Sequence, residues 1–202
     1  MLKVGVTGGI GSGKTLVCRI FEVLGIPIYY ADIQAKKIME SDPHIRDGLV
    51  GLFGSAVIND NKINREYLAS IIFNNNDALI SVNNLVHPAV RRDFTEWALS
   101  MSEQDYIIEE AAILFESGIY RLLDFNIAVS APEEMRIKRV IMRDNASRES
   151  VLSRLKNQMT ENERNSLADA VIFNDESDLL IPQVIKVHNR ILNIAGLKKD
   201  IN

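Results

Sequence analysis

Cysteine is almost missing from this chain: Cys18 is the only one in 202 residues, which rules out an internal disulfide and leaves the fold to its core. Cys18 falls in a stretch of helical spacing, where a small buried hydrophobe in a reducing compartment is the expected role. Proline is scarce at 5 and glycine modest at 11, so extensive disorder is not expected. Cationic excess is lacking as well. With 23 basic against 27 acidic residues the net charge is −4, which excludes the overall basic field of a non-specific nucleic-acid binder; an anionic ligand must be met locally. No apolar run approaches the roughly 20 residues of a membrane-spanning helix. The first residues, Met1 to Thr7, carry no leader pattern. The expectation is therefore a cytoplasmic protein with neither nucleic acid nor membrane as partner.

What is present is ordinary globular material, 47% hydrophobic and 25% charged. At this length one core is filled, with room for small inserted lobes but not for a second full domain. Leu2–Thr7 is a β-branched apolar run ending at a glycine cluster, and residues 16–24 follow with helical spacing. Residues 26–30 read as a second strand, which puts Asp32 just past its carboxyl end, where open α/β sheets bind ligands. From 32 to 104 the pattern is helical, broken by turn signals at Ser41-Asp42-Pro43, Asn59-Asp60-Asn61, the run Asn74-Asn75-Asn76-Asp77 and His87-Pro88, with no strand expected. Strands resume from Tyr106 through Ala112, over residues 125–129 and over residues 170–173, and an amphipathic helix over about 178–194 closes the chain.

Gly8-Gly9-Ile10-Gly11-Ser12-Gly13-Lys14-Thr15 satisfies G-x-x-x-x-G-K-[ST] between a strand and a helix. In that setting Gly8, Gly9, Gly11, Ser12, Gly13 and Leu16 bring backbone amides or close approach to phosphate oxygens. Lys14 reaches the β and γ phosphates and the Thr15 hydroxyl ligates Mg²⁺. ATP is the expected donor. The guanine-reading pattern Asn-Lys-x-Asp has only a superficial echo in Asn61-Lys62-Ile63-Asn64, which ends in Asn and sits inside the helical stretch.

Asp32 suits two roles equally on the residues alone: a base taking a proton from an acceptor hydroxyl, or an N-cap for the helix that follows. Glu109 and Glu110 end a strand and point to opposite faces, so at most one reaches Mg²⁺; Glu110 is preferred. Arg136, Lys138, Arg139, Arg143, Arg148 and Arg154 form a cationic group suited to a flap over ATP. Arg139 and Arg143 lie one helical turn apart. His87 has no second His or Cys at ligand spacing and is read as a substrate contact or as structure, not as a metal ligand. Cys18 aside, Trp97, Phe94 and Val90 are expected to be core.

Taken in order, these segments resemble the dephospho-coenzyme A kinase family over nearly the whole chain. The resemblance runs from Thr7-Gly8-Gly9-Ile10-Gly11-Ser12-Gly13-Lys14 through Gly25-Ile26, Ala31-Asp32, Phe53-Gly54, Asn64-Arg65 with Leu68 and Phe73, and Asn83 with His87-Pro88. It continues through Leu114-Phe115-Glu116, Lys138-Arg139, Arg143-Asp144, Arg148-Glu149, Arg154 with Gln158, and Ala168-Asp169 with Asn174. It implies an α/β P-loop NTPase core, a parallel sheet flanked by helices (1–31, 105–135 and 165–202), a helical substrate-binding insertion (32–104) and a small helical lid (136–164). The implied reaction moves the γ-phosphoryl of ATP, with Mg²⁺, to the ribose 3′-hydroxyl of dephospho-coenzyme A. By the same resemblance Asp32 is the base, Lys14, Arg139 and Arg143 assist catalysis, and Arg65 and His87 belong to the acceptor side. Three positions depart from the family pattern. Tyr30 stands where a first carboxylate is frequent, Glu110-Ala111-Ala112 where Asp-x-Pro is common, and Leu16 where a second hydroxyl is common. A different small-metabolite kinase would keep Lys14 and Thr15 but change the acceptor lobe; a nucleotide switch would lack a small-molecule product.

Overall fold

Parallel strands cannot be joined by hairpins, so a chain that alternates strands and helices builds its sheet through crossovers. A computed structural model describes residues 1–73 and 75–199; Asn74 of the asparagine run and residues 200–202 of the expected core lie outside the described residues. The described residues divide into two compact units, one of residues 1–30 with those from 101 onward and one of residues 31–100.

The first unit is built on a five-stranded sheet of β1 (Leu2–Thr7), β2 (Ile28–Tyr30), β5 (Tyr106–Glu110), β6 (Phe125–Ser130) and β7 (Ala170–Phe173). The order is β2-β5-β1-β6-β7 and every pairing is parallel. β1 is central, and strands buried on both faces read as the apolar runs seen in the sequence. Helices α1 (Lys14–Val23) and α9 (Leu180–Lys199) lay Val17, Phe21, Val184 and Ile191 onto Val4, Val6, Tyr106 and Ile127. Phe21 meets Tyr106 edge-on at 6.5 Å and 88°, a contact that contributes about 0.5–1.5 kcal/mol beyond area burial. Cys18 is fully buried in this layer. Its burial, with the nearby Glu110 carboxylate and against the pull of Lys14, raises the thiol pKa and keeps it protonated.

Beyond β6 come α6 (Glu133–Asp144), α7 (Arg148–Lys156) and α8 (Glu161–Leu167). The break between α6 and α7 falls at Asn145, which takes a left-handed conformation that asparagine tolerates. Ile137 and Val140 of α6 pack on Val151 of α7 and on Ile10 of the glycine loop. Thr160 and Glu163 form a reciprocal capping box that starts α8.

The second unit holds α2 (Ala31–Ser41), α3 (Pro43–Phe53), α4 (Arg65–Phe73) and α5 (Asn76–Ser100). Asp42 caps α3 ahead of Pro43, accepting from the His44 amide. Along α5 the buried residues Ala78, Val82, Val86, Ala89, Val90, Phe94 and Ala98 recur at helical spacing.

Two sequence expectations fail in this unit. The turn signal Asn59-Asp60-Asn61 is real, but it closes a hairpin of β3 (Ile58–Asn59) and β4 (Lys62–Ile63) where no strand was expected. Asp60 and Asn61 both have positive φ, 46° and 62°, the backbone of a primed two-residue turn; strands of two residues are too short to show a period. His87-Pro88 does not break the helix, because α5 runs through Pro88. Proline removes one intrahelical hydrogen bond, yet buried side chains on both sides of it hold the helix in place. In the sheet, β5 ends at Glu110 and does not reach Ala112.

Candidate active site

The glycine run turns the chain from β1 into α1 on a tight loop. Gly11 and Gly13 have φ of 79° and 94°, conformations that side-chain-bearing residues rarely adopt. Ser12 N–H donates to the Gly9 carbonyl at 3.0 Å. A methyl on Gly8 would collide with the Val129 carbonyl of β6 and lie 2.6 Å from Ser12 Oγ, so the loop sits directly against the strand end. The amino end of α1 has no side-chain cap and no acidic residue in its first turn, leaving partial positive charge there. Lys14 Nζ folds back to donate to the Gly8 carbonyl at 2.9 Å. Thr15 and Leu16 are exposed on the first turn.

Glu110, at the end of β5, is in register with Val6 of β1 and Tyr30 of β2 and is buried. Its charge and that of Lys14 both act on Cys18, which places it near the base of α1. Glu109, on the other face, is buried too; neither carboxylate is solvated. A hydroxyl at the helix start and one buried carboxylate at an adjacent strand end are hard oxygen donors of the kind Mg²⁺ takes when phosphate oxygens and water complete its shell. Among the described residues no group of three or more His, Cys, Asp or Glu is arranged to hold a metal by itself.

Asn174, just after β7, donates through Nδ2 to the Ser12 carbonyl at 2.8 Å and packs where a Gly13 side chain would go. Arg139 donates to the Asn174 carbonyl at 3.0 Å and to Glu176 at 3.1 Å, so it borders the loop through Asn174. Arg143 is exposed and pairs with Asp144, which also takes Arg154 at 3.0 Å. These two arginines, Arg143 first, push the Asp144 carboxyl down to about 2. Arg148 pairs with Glu134.

The arginines nearest the loop are others. Arg136 and Arg164 are 6% and 1% exposed, and the Arg136 guanidinium occupies the space a Gly9 side chain would need, with Arg164 Nη1 3.4 Å from the same point. Sequence reasoning placed Arg136 only in a general cationic group and missed Arg164. One signal was available: α8 reads Glu-Asn-Glu-Arg-Asn-Ser-Leu, with almost no apolar face, so whatever that helix buries must be polar. Gln158 binds the loop as well, its side-chain oxygen accepting from Ile10 N–H at 2.9 Å. Glu116 accepts from Met159 N–H at 3.2 Å.

The remaining sequence candidates lie in the second unit. Asp32 is exposed in the first turn of α2, inside the helix and not at its cap. Arg65 opens α4 and is held by Glu40, through Nη2 at 3.1 Å and Nε at 3.3 Å. His87 is partly buried on α5; burial first, then the Arg91 charge, hold its pKa below the usual 6.5.

Comparison with known proteins bears on this site. A sequence model of the family described as dephospho-CoA kinase matches residues 2–179. The dephospho-CoA kinase of Porphyromonas gingivalis is 41% identical over 188 residues, 93% of this chain and 93% of that protein. Among solved structures, a Thermus thermophilus protein is similar with a TM-score of 0.84 at 33% identity, covering 94% of this chain and 96% of that one. The dephospho-CoA kinase from Campylobacter jejuni has a TM-score of 0.70 at 29% identity, covering 95% and 97%.

Proposed function

The chain belongs to the dephospho-CoA kinase family, and on that premise we propose that it transfers the γ-phosphoryl of ATP to the ribose 3′-hydroxyl of dephospho-coenzyme A. The products are coenzyme A and ADP, and this is the last step of coenzyme A biosynthesis. The observation that carries the reading is the uncapped amino end of α1 behind a glycine loop, in a chain whose family match spans both units.

A phosphoryl transition state is loose and rich in charge, so alignment and electrostatic stabilisation supply most of the catalysis. The loop from Gly11 to Leu16 holds the β and γ phosphates through those amides that are not spent inside it, as Ser12 N–H and Leu16 N–H are on the Gly9 and Gly13 carbonyls. Lys14 exchanges its bond to the Gly8 carbonyl for a phosphate oxygen, at little cost because one charge-assisted hydrogen bond replaces another contact of the same donor. Thr15, with Glu110 beside it, would hold Mg²⁺, which would supply neutralisation of phosphate charge. Asp32 takes the proton from the 3′-hydroxyl as the oxygen attacks phosphorus. Residues 32–104 form the acceptor lobe, in which Arg65 meets acceptor phosphate and His87, neutral at pH 7, offers a hydrogen bond without adding charge. Residues 136–164 act as a lid, with Arg139 and Arg143 closing over the donor and excluding water that would hydrolyse ATP. The expected setting is the cytoplasm, with ATP and dephospho-coenzyme A as the only partners the chemistry needs.

The test is incubation of the purified chain with Mg-ATP and dephospho-coenzyme A, following products by mass spectrometry, with Asp32→Asn alongside. Coenzyme A formed by the wild type and reduced at least about 100-fold by the variant supports reaction and base together, in line with the usual worth of a general base. ATP binding without coenzyme A formation in the wild type retires the acceptor. Equal rates in both proteins retire Asp32 as the base.

A further inference from the structure

Buried guanidinium groups normally satisfy their five N–H donors and sit against a carboxylate, because desolvating a cation without such partners is strongly unfavourable. Arg136 and Arg164 meet only half of that rule, side by side: each has a carboxylate within 4 Å but few hydrogen bonds. Arg136 is 6% exposed and its guanidinium makes no hydrogen bond to any described residue; its nearest counter-charge is Glu161 Oε2, 3.6 Å from Nε. Arg164 is 1% exposed and spends one donor, Nη2, on the Met159 carbonyl at 2.7 Å, with Glu116 3.9 Å away. Among the described residues the Nε of each is buried without a hydrogen-bond partner. Each acid also accepts another hydrogen bond, Glu161 through Oε1 from the Ser130 hydroxyl and Glu116 through Oε1 from the Met159 amide.

The two cations are close enough to oppose one another, since Arg136 helps to lower the Arg164 pKa after burial itself. Their guanidinium groups converge on Gly9 of the loop, whose missing side chain leaves the space that Arg136 fills. Like charges held together beside the glycine loop, with N–H donors to spare, describe a receptor for an anion.

We infer that Arg136 and Arg164 form a two-arginine phosphate subsite beside Gly9, which takes phosphoryl oxygens of the nucleotide held by the loop. The inference rests on the reading that this loop binds ATP. It assigns contact with the transferring end of the donor to arginines built into the first unit, in addition to the exposed Arg139 and Arg143. Arg136 also lines a cavity of about 660 Å³ between α6, α7, α8 and the ends of β6 and β7, so the same phosphate chemistry has a second conceivable source, a separate phosphate ligand seated there.

The experiment compares wild type, Arg136→Met, Arg136→Lys and Arg164→Lys as full chains. Apo melting temperature is measured first, then affinity for Mg-ATP and for inorganic tripolyphosphate by calorimetry. The expected result is an Arg136→Met protein that stays folded, although Glu161 loses the cation 3.6 Å from it, yet binds both ligands about tenfold or more weakly. Arg136→Lys recovers part of that loss, and Arg164→Lys weakens tripolyphosphate because a point charge replaces a fork. Unchanged affinity in folded variants, with or without a fall in melting temperature, shows that the guanidinium groups are structural and overturns the inference. Inorganic phosphate that binds wild type under saturating Mg-ATP, but not Arg136→Met, moves the ligand to the cavity and overturns the nucleotide assignment. If wild type itself fails to bind Mg-ATP, it is the loop reading that fails and this subsite falls with it.

Discussion

Replacing Gly8 by alanine tests whether the loop is held by the end of β6. Gly8 is not among the glycines with positive φ, so its backbone accepts alanine and the only obstacle is space. The added methyl would overlap the Val129 carbonyl and stand 2.6 Å from Ser12 Oγ, well inside ordinary contact. Ser12 is fully buried and the carbonyl belongs to a sheet strand, so neither neighbour swings away as a long surface side chain would; the loop itself must shift. Overpacking of this kind costs about 2 kcal/mol, which for a chain of this size lowers the melting temperature by roughly 4–8 °C. A shifted loop also misplaces amides aimed at phosphate, and losing one charge-assisted hydrogen bond weakens Mg-ATP binding about tenfold or more. The control is Gly196→Ala: that residue lies inside α9 with nothing within 4 Å of an added methyl, so it gains about 0.5–1 kcal/mol of stability and leaves ATP binding alone. Circular-dichroism melts and ATP titration read both variants. A Gly8→Ala protein with wild-type melting temperature and affinity would refute the steric argument.

Asn174→Ala removes the 2.8 Å bond from Nδ2 to the Ser12 carbonyl and should cost about 1 kcal/mol together with several-fold weaker Mg-ATP binding, measured in the same titration; unchanged binding would mean that the loop holds its shape without that tether. Stability should fall on the acid side for a defined reason. His87 and His188 have pKa values held below the usual 6.5 by burial, with Arg91 adding at His87. Below pH 6.5 the unfolded chain therefore binds protons that the folded chain does not, so stability is full above that pH and declines as pH falls through it. Urea melts between pH 7.5 and 5.5 should show the decline, and His87→Gln should flatten it; an identical slope in that variant would clear His87 of the effect.

The parts legible in the sequence were those whose cause is local. Leu2–Thr7 and the closing β7 were readable because β-branched apolar runs bounded by turn residues admit few other conformations. The glycine loop was readable because its residues serve backbone geometry that no other residue type supplies. The turn signal Ser41-Asp42-Pro43 marked the break before α3, where the structure shows Asp42 as the cap. Where a local signal met a non-local one, the non-local one won. Pro88 is a helix breaker in isolation, but Val86, Ala89 and Val90 are buried around it and the helix continues. The hairpin at Ile58–Ile63 was hidden because pairing across the turn, not periodicity along the chain, makes it.

The site shows the same division. Lys14, Thr15 and Glu110 were named from motif and strand-end position, and the fold places them at one end of the sheet. Arg136 and Arg164 were invisible as a pair, being 28 residues apart and both looking like the surface of polar helices; what sets them apart is burial, which depends on how α6 and α8 pack against Gly9. By itself the sequence determined the sheet-forming runs, the phosphate loop and the family, because each rests on residue types at short fixed spacing. Only the tertiary structure decided which of the many arginines lost their water, since desolvation is a property of what packs around a charge and is written nowhere in its neighbours along the chain.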